Sequence, residues 1–404
     1  MIQRKKYLDR LISYQDKHII KVLTGIRRCG KSSLLRMFME YLKNTGIEEE
    51  QIIYLNFESL NTAIELDDHL KVHAHIQKRV SAASFEKYYI LMDEIQELPQ
   101  FERLINSLYL DDRFDIYLTG SNAHMLSGEL ATLLSGRYIE IPVMLLSLKE
   151  YQAFAGVETF DENSYRHYLK ESSFPYAVLE LRNDPQQLYD YLTGIYNTIL
   201  IKDVIERYKV GDITTLKNLI AFLFDNIGNT FSSKKISDTL KSYGRPISVP
   251  TIDNYVQQLI NSFLLYKVGR YDLKGKQLLK TQEKYYVCDL ALRNLILAQT
   301  KTDLGHIFEN IVFLELKKAG YEVYIGKVGT LEIDFVALKQ GKTEYYQVAY
   351  SVIGADGNIL EREFEPFYHL QDFYPRTLIV FDDQGIDHYR GIAIKKITDW
   401  IKEL

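Results

Sequence analysis

The segment GIRRCGKS, residues 25–32, has the residue types and the spacing of a phosphate-binding loop. Two glycines enclose four residues and are followed directly by a lysine and a serine, which fits the pattern GxxxxGK[ST]. Glycine lets backbone N–H groups approach a phosphate closely, and the start of a helix attracts anions. In this pattern the lysine reaches the β- and γ-phosphates and the serine hydroxyl coordinates Mg²⁺. The predicted nucleotide-binding residues of the loop are Gly25, Arg28, Cys29, Gly30, Lys31, Ser32 and Ser33.

An acidic pair, Asp93 and Glu94, ends the apolar run YYILMDEIQ. We predict that Asp93 holds Mg²⁺ through water, together with Ser32, and that Glu94 is the general base that polarises the attacking water. A carboxylate reserved for water activation favours ATP hydrolysis over a GTPase switch. The alternative is a strand that simply ends in a solvated acidic turn.

Three further polar positions are candidates for the same site. In the segment LTGSN, Ser121 or Asn122 is expected to sense the γ-phosphate, although these residues also suit an ordinary turn. Asn56 ends another apolar run and is a candidate to restrain Glu94. Arg137 is a candidate arginine finger, in its own chain or across a subunit interface of an oligomer, and is otherwise a surface or ion-pair arginine. The predicted catalytic residues are Glu94, Lys31 and Arg137.

The elements that position these residues alternate between strands and helices over residues 1–146. HIIKVLTG and KYYILMDEIQ are continuous apolar runs, whereas KSSLLRMFMEYLKNTG has its apolar residues at helical spacing. Continuous apolar strands separated by helices indicate a parallel sheet that is covered on both faces. Ligands bind at the carboxyl ends of such strands, where both motifs lie. The predicted fold is therefore α/β, with a P-loop NTPase sheet and flanking helices.

Residues 147–212 are predicted to form a helical lid or linker, and residues 213–292 a winged-helix-like domain of three helices and a β-hairpin. In winged helices the third helix can enter the DNA major groove while the hairpin contacts the backbone. The third helix carries Asn254 and Gln257 but also Asp253, so contact with DNA and contact with protein both stay open. The hairpin residues predicted to contact DNA phosphates are Lys267, Arg270, Lys274, Lys276 and Lys280.

Residues 300–404 are predicted to form a small α/β domain, with Glu309 on a predicted helix and Asp334 on a predicted strand. In the order of these elements and acids the domain resembles the PD-(D/E)XK nuclease fold. The Glu-x-Lys pair of active members is replaced by Gln347, Val348 and Ala349. The resemblance therefore implies a nuclease-like fold without cleavage. Alternatively, both acids are surface charges on an unrelated α/β domain.

The segments GIRRCGKSS, YYILMDEIQ, YLTGSN, LLSGRYIEIPVMLLSLKEY and FPYAV together resemble bacterial and archaeal AAA-type ATPases with a C-terminal domain of unknown function. The resemblance runs over essentially the whole chain. Members usually read Gly-Gly-Phe-Pro where this chain has Ser172, Ser173, Phe174 and Pro175, a departure in the linker and not in the nucleotide site. The resemblance implies ATP and Mg²⁺ as cofactors and does not name a biological role.

The composition of the chain limits the class of protein and its expected location. With 49 basic and 54 acidic residues the net charge is −5, which excludes a wholly basic nucleic-acid binder but leaves room for a local basic patch. Two cysteines provide no disulfide framework, and no apolar run reaches about 18 residues, so we expect a cytoplasmic protein without membrane contact. We predict an ATP-hydrolysing protein that couples its nucleotide state to DNA binding or sensing. The alternatives are an ATP-gated protein-interaction scaffold and an active ATP-dependent nuclease.

Overall fold

The computed structural model of the protein describes residues 4–82, 84–123, 134, 136–158, 161–242, 247–275, 277–298, 304–354 and 357–404. The chain divides into two compact units. The first comprises Met1–Met144 and Asn261–Phe263, and the second comprises Leu145–Ile260 and Leu264–Leu404. In the part of the chain that the structure describes, no helix has the length and apolar composition needed to cross a membrane.

A five-stranded parallel sheet forms the centre of the first unit, as predicted. The spatial order of its strands is β2-β3-β4-β1-β5, so β4 lies between the strand that precedes the phosphate loop and the strand that ends in Asp93. All carboxyl ends of a parallel sheet meet at one edge, which brings the two motifs together there. The strands are β1 (Ile20–Thr24), β2 (Ile52–Asn56), β3 (Tyr88–Asp93), β4 (Phe114–Gly120) and β5 (Tyr138–Pro142).

The helices of the first unit cover this sheet. Every residue of β1, β3 and β4 is buried, which explains why these strands read as continuous apolar runs and not as alternating ones. Residues of α4 and α5, such as Val72 and Leu104, pack into one core with Ile90 and Ile116 from the sheet. The helices are α1 (Lys5–Ser13), α2 (Lys31–Asn44), α3 (Leu60–Glu65), α4 (His69–Ala82) and α5 (Phe101–Tyr109).

The second unit begins with helices. Asp161, Asp184 and Asp212 each accept a backbone N–H at the start of a helix, which satisfies donors that the helix itself leaves unpaired. Two π-helical segments, Ala177–Leu181 and Ile199–Glu206, interrupt the run. The helices are α6 (Leu148–Ala155), α7 (Glu162–Glu171), α8 (Pro185–Thr198), α9 (Ile213–Asp225), α10 (Ser233–Ser242) and α11 (Val249–Asn261).

An eight-stranded mixed sheet follows, with the order β12-β13-β11-β10-β9-β8-β6-β7. Its strands are β6 (Leu265–Asp272), β7 (Gln277–Val287), β8 (Glu322–Val328), β9 (Leu331–Lys339), β10 (Lys342–Ser351), β11 (Arg376–Asp382), β12 (His388–Tyr389) and β13 (Ile392–Lys396). The accompanying helices are α12 (Leu290–Leu297), α13 (Leu304–Ala319), α14 (Glu361–Tyr368) and α15 (Ile397–Glu403).

The hairpin of β6 and β7 belongs to this sheet, because β6 pairs in parallel with β8. The sequence had placed this hairpin with three helices in a winged-helix-like domain at 213–292, ahead of a separate domain at 300–404. In the structure the hairpin extends the sheet that the later strands form. The predicted order of one helix and three strands over residues 305–351 is present as α13, β8, β9 and β10. The division of the second unit into a linker, a winged helix and a nuclease-like domain stays a prediction.

Candidate active site

The loop between β1 and α2 owes its shape to the two glycines of the pattern. A Cβ atom on Gly25 would lie 2.1 Å from the carbonyl oxygen of Val143, so no other residue fits there without a shift of the backbone. Gly30 has a φ of 103° and precedes the first residue of α2, Lys31. This left-handed conformation is one that glycine adopts readily. The loop therefore closes tightly against β5 and leads directly into a helix N-terminus.

Lys31 is buried at the foot of this loop. Its Nζ atom donates hydrogen bonds to the carbonyl oxygens of Gly25 and Ile26, at 2.9 and 3.2 Å. The same atom lies 3.4 Å from Oε1 of Glu94. Burial works against the charge of Lys31, but neighbouring Cys29 and Glu94 raise its pKa above the usual value. Lys31 is thus an ammonium group held by the loop and by the acidic motif.

Asp93 ends β3 and is fixed by two side chains that the sequence analysis did not single out. Thr119 Oγ1 donates to Asp93 Oδ1 at 2.6 Å, and the Tyr54 hydroxyl donates to Oδ2 at 3.0 Å. Thr119 Oγ1 also accepts the backbone N–H of Glu94 at 2.8 Å. The only sequence signal for Thr119 was its place in LTGSN, at the end of the strand beside β3. One threonine therefore ties both acids to β4.

Glu94 is buried with a φ of 52°, a left-handed conformation that is uncommon for a residue other than glycine. Its Oε1 atom faces Lys31, and its Oε2 atom accepts a hydrogen bond of 2.6 Å from Gln96 Nε2. Burial alone would raise the pKa of Glu94, but Lys31, the Gln96 hydrogen bond and Arg27 outweigh it and lower the pKa. Glu94 is therefore ionised at neutral pH, as a general base must be.

The remaining predicted residues of this edge lie where the sequence placed them. Ser121 and Asn122 are buried at the end of β4, and Gln96 Nε2 lies 3.4 Å from Ser121 Oγ. Ser32 is half-buried and Ser33 exposed in the first turn of α2. Whether Ser121 or Asn122 senses a phosphate stays a prediction, and so does the metal-binding role of Ser32.

Arg137 lies away from the phosphate loop. Its backbone oxygen accepts the N–H of Ile20 at the amino end of β1, whereas the loop follows the carboxyl end, roughly 13 Å further at about 3.3 Å per residue. Its guanidinium group donates to Asn106 Oδ1 at 2.9 Å and stacks over the Tyr109 ring. The structure thus does not support an arginine finger in its own chain, because parallel pairing puts Arg137 at the opposite edge. A role across a subunit interface stays a prediction.

Cys29 and Asn56 have structural contacts: Cys29 is buried, and Asn56 caps a turn. Cys29 is fully buried, and burial raises the pKa of its thiol in spite of Lys31 and Arg4 nearby. Its backbone oxygen accepts a hydrogen bond from Arg4. Asn56 Oδ1 accepts the N–H of Glu58, so it caps a turn, and the side chain that hydrogen-bonds the Glu94 carboxylate is that of Gln96.

The charges inside the loop are partly compensated. Arg27 NH1 lies 2.5 Å from Glu58 Oε1 and NH2 lies 3.8 Å from Glu97 Oε1. Arg28 is exposed and has a φ of 66°. Arg28 is therefore a loop cation whose side chain faces solvent.

A second group of charges lies in the second unit, around Lys284 of β7. Its Nζ atom lies 3.1 Å from Glu309 Oε1 and 2.8 Å from Glu332 Oε1. Asp334 Oδ2 accepts the backbone N–H of Val348 at 2.8 Å. Burial, and next the charge of Glu309, raise the pKa of Asp334 well above its ordinary value. We call Lys284, Glu309, Glu332 and Asp334 the lysine-centred cluster; sequence reasoning had found two of its acids and had missed its lysine.

The position of the missing Glu-x-Lys pair is occupied by groups without charge. Gln347 Oε1 accepts the backbone N–H of Asp334 at 3.2 Å, and Ala349 is buried. Lys339, which lies near this region in the sequence, packs over the Tyr321 ring. The cation beside the acids therefore comes from β7 and not from the strand that supplies it in the nuclease pattern.

The hairpin of β6 and β7 is less available to phosphates than its sequence implies. Lys267 Nζ lies 2.7 Å from Glu283 Oε1, and Arg270 is buried with Glu332 3.6 Å away. Lys274 is exposed at the turn. Lys276 and the side chain of Lys280 lie outside the described residues.

The sheet order, the loop after β1 and the acidic pair after β3 define a P-loop ATPase domain of the AAA type. Residues 17–152 match the family model of an AAA domain, and residues 162–303 match a domain of unknown function, DUF8612. The chain is 39% identical to an uncharacterized protein of Haemophilus influenzae over 99% of this chain and 98% of that protein. The chain belongs to the same family as this protein.

Two further likenesses extend over most of the chain. An uncharacterized protein of Methanocaldococcus jannaschii is 30% identical over 82% of this chain and 75% of its own length. Among solved structures, a Walker-type ATPase of Pyrococcus abyssi superposes with a TM-score of 0.51 and 16% identity, covering 73% of this chain and 96% of that one. At this identity the likeness shows the fold alone.

Proposed function

We propose that the protein binds ATP with Mg²⁺ and hydrolyses it. The observation that carries this proposal is the convergence of Lys31 and Glu94 at the carboxyl edge of the sheet, 3.4 Å apart and both ionised. A buried cation under a glycine loop suits a phosphate chain, and a buried carboxylate beside it suits an attacking water.

The residues present fit the metal and the nucleotide. Bound Mg²⁺ would neutralise charge on the phosphate oxygens, and Ser32 together with Asp93 would hold it. Lys31 exchanges the carbonyl oxygens of Gly25 and Ile26 for phosphate oxygens. Glu94 accepts a proton from the attacking water. Ser121 or Asn122, which follow β4, senses the γ-phosphate.

Two substitutions test this proposal. Lys31→Ala is expected to abolish tight binding of a fluorescent ATP analogue with Mg²⁺, because the phosphate chain loses its buried cation. Glu94→Gln is expected to preserve that binding and to lower turnover by about 10²-fold or more, since the base is lost. Lys43→Ala is the matched control, because Lys43 lies on the same helix but is exposed and pairs with Glu49. Normal turnover of the Glu94→Gln enzyme would remove Glu94 from the role of base.

We also propose that nucleotide state is coupled to contact with DNA through the three helices α9, α10 and α11 and the following hairpin. What supports this is their winged-helix-like order, the exposed Asn254 and Gln257 on α11, and exposed Lys274 at the hairpin turn. The acidic partners of Lys267 and Arg270 reduce the basic surface, which keeps an ATP-gated protein scaffold as the alternative. Binding of labelled duplex DNA, measured against salt with ATP, with ADP and without nucleotide, separates the two proposals.

A further inference from the structure

Gln96 lies in the short 3-10 turn Ile95–Glu97 that follows the acidic pair. The turn is anchored at both ends: Ile95 is fully buried, and the N–H of Glu97 donates to the carbonyl oxygen of Glu94 at 3.1 Å. The backbone therefore directs the Gln96 side chain back toward the carboxylate two residues before it.

The amide of Gln96 bridges two functional positions. Its Nε2 atom lies 2.6 Å from Glu94 Oε2 and 3.4 Å from Ser121 Oγ. Its Oε1 atom is buried and, among the described residues, has no hydrogen-bond donor. A buried carbonyl oxygen without a donor is costly, so such an atom usually receives one from a water or a ligand.

The two oxygens of Glu94 are divided between Lys31 and Gln96. Lys31 faces Oε1, and in the proposed reaction it must move its charge to the phosphates. Glu94 then loses one of its two partners at the moment when its orientation matters. The hydrogen bond from Gln96 to Oε2 does not depend on Lys31.

We infer that Gln96 is the positioning residue of the general base: it holds Glu94 toward the attacking water when Lys31 engages the nucleotide, and it links Glu94 to Ser121 at the end of β4. The inference rests on the proposed ATPase function. The attacking water supplies the donor for Gln96 Oε1. A merely structural role would instead confine Gln96 to bracing the turn.

The test compares Gln96→Leu and the isosteric Gln96→Glu with the wild type and with Gln77→Leu, the same substitution within α4. The kcat and KM of ATP hydrolysis are measured at steady state, and affinity for the Mg²⁺ complex of a fluorescent ATP analogue is measured in parallel. Gln96→Leu is expected to lower kcat about 10- to 100-fold, the effect of losing a hydrogen bond to a charged group, with KM and affinity changed less than about twofold. A residue that only braces the fold would change stability and affinity together with kcat.

The outcomes distinguish a failure of the proposed ATPase function from a failure of the role of Gln96. A wild-type protein without ATP hydrolysis would refute the proposed function. A hydrolysing wild type, with a Gln96→Glu variant that keeps the wild-type kcat, would refute the role of Gln96 alone. The isosteric variant keeps this test valid if Gln96→Leu does not fold.

Discussion

The lysine-centred cluster makes a sharp prediction about stability. We expect Lys284→Met, which keeps the length and apolar stem of the side chain, to destabilise the second unit strongly. The Lys284 side chain is 7% exposed and that of Glu309 is 10% exposed, so the substitution leaves the buried Glu309 carboxylate without its lysine, whereas Glu332 keeps Arg270 at 3.6 Å. Breaking a buried pair in this way costs about 3–5 kcal/mol. We expect the lower end, about 3 kcal/mol, because the Glu332 side chain is 31% exposed and water screens it.

The protein carries its own probe for this measurement. Trp400 is the only tryptophan of the chain, lies in α15 of the second unit and is 2% exposed. Its fluorescence during urea unfolding therefore reports the second unit separately from the first. Lys267→Met is the matched control, because Lys267 lies on the same hairpin but forms a half-exposed pair with Glu283. Such surface pairs contribute up to about 1 kcal/mol.

The pH dependence of the free energy of unfolding tests whether Lys284 is the buried counter-ion. Burial and the charge of Glu309 already raise the pKa of Asp334, and Lys284 lowers it, so that pKa should rise further in the folded state when Lys284 is removed. A carboxyl group whose folded pKa is raised contributes stability at low pH that is lost as pH rises through that pKa. The free energy of unfolding that Lys284→Met loses relative to the wild type should thus be larger at pH 8 than at pH 5. An effect equal to that of Lys267→Met, or a deficit independent of pH, would refute the view of Lys284 as the buried counter-ion.

Two further predictions concern nucleic acid. Neutralising Lys274, Lys276 and Lys280 together should weaken binding to duplex DNA and reduce the salt slope by roughly one unit per lost phosphate contact; unchanged affinity and slope would favour a protein-binding hairpin. Purified protein with Mg²⁺ or Mn²⁺ and ATP should leave linear, branched and single-stranded DNA intact, because the acids face Lys284 and no lysine occupies position 349. Cleavage that disappears in Asp334→Ala would instead support an active nuclease.

The convergence of the two motifs at one edge of the sheet was predictable because each motif is contiguous in the chain. Lys31 and Ser32 follow a glycine pattern, and Asp93 and Glu94 end a run that can only be a buried strand. Once both strands are parallel in one sheet, their carboxyl ends must meet, whatever the detailed packing. Thr119 and Gln96 could not be assigned in the same way, because side-chain hydrogen bonds depend on rotamers that no spacing rule specifies.

Two side chains could not be placed from the sequence, and the physical cause is the same for both. The sequence offered Arg137 as a candidate arginine finger, but the direction of β5 decides which edge of the sheet it occupies, and that edge is the one opposite the loop. Lys284 was missed because its role depends on β6 pairing with β8, a contact between segments about fifty residues apart. Pairing of distant strands is governed by the whole fold and leaves little local signal.

The contacts of Lys31 imply how nucleotide binding acts on the first unit. In the structure the charges of Lys31 and Glu94 compensate each other, because Nζ lies 3.4 Å from Oε1. If a triphosphate binds Lys31, Glu94 loses this contact and keeps only its other partners. Those partners reach the end of β4: Thr119 holds the Glu94 backbone, and Gln96 joins its carboxylate to Ser121. We therefore expect a change at Lys31 to be transmitted first to β4, the strand between β1 and β3. The test is to compare the exchange of backbone amide hydrogens with and without ATP. Within the sheet, the exchange rate should change most around residues 119–122. An unchanged exchange rate there would contradict this route.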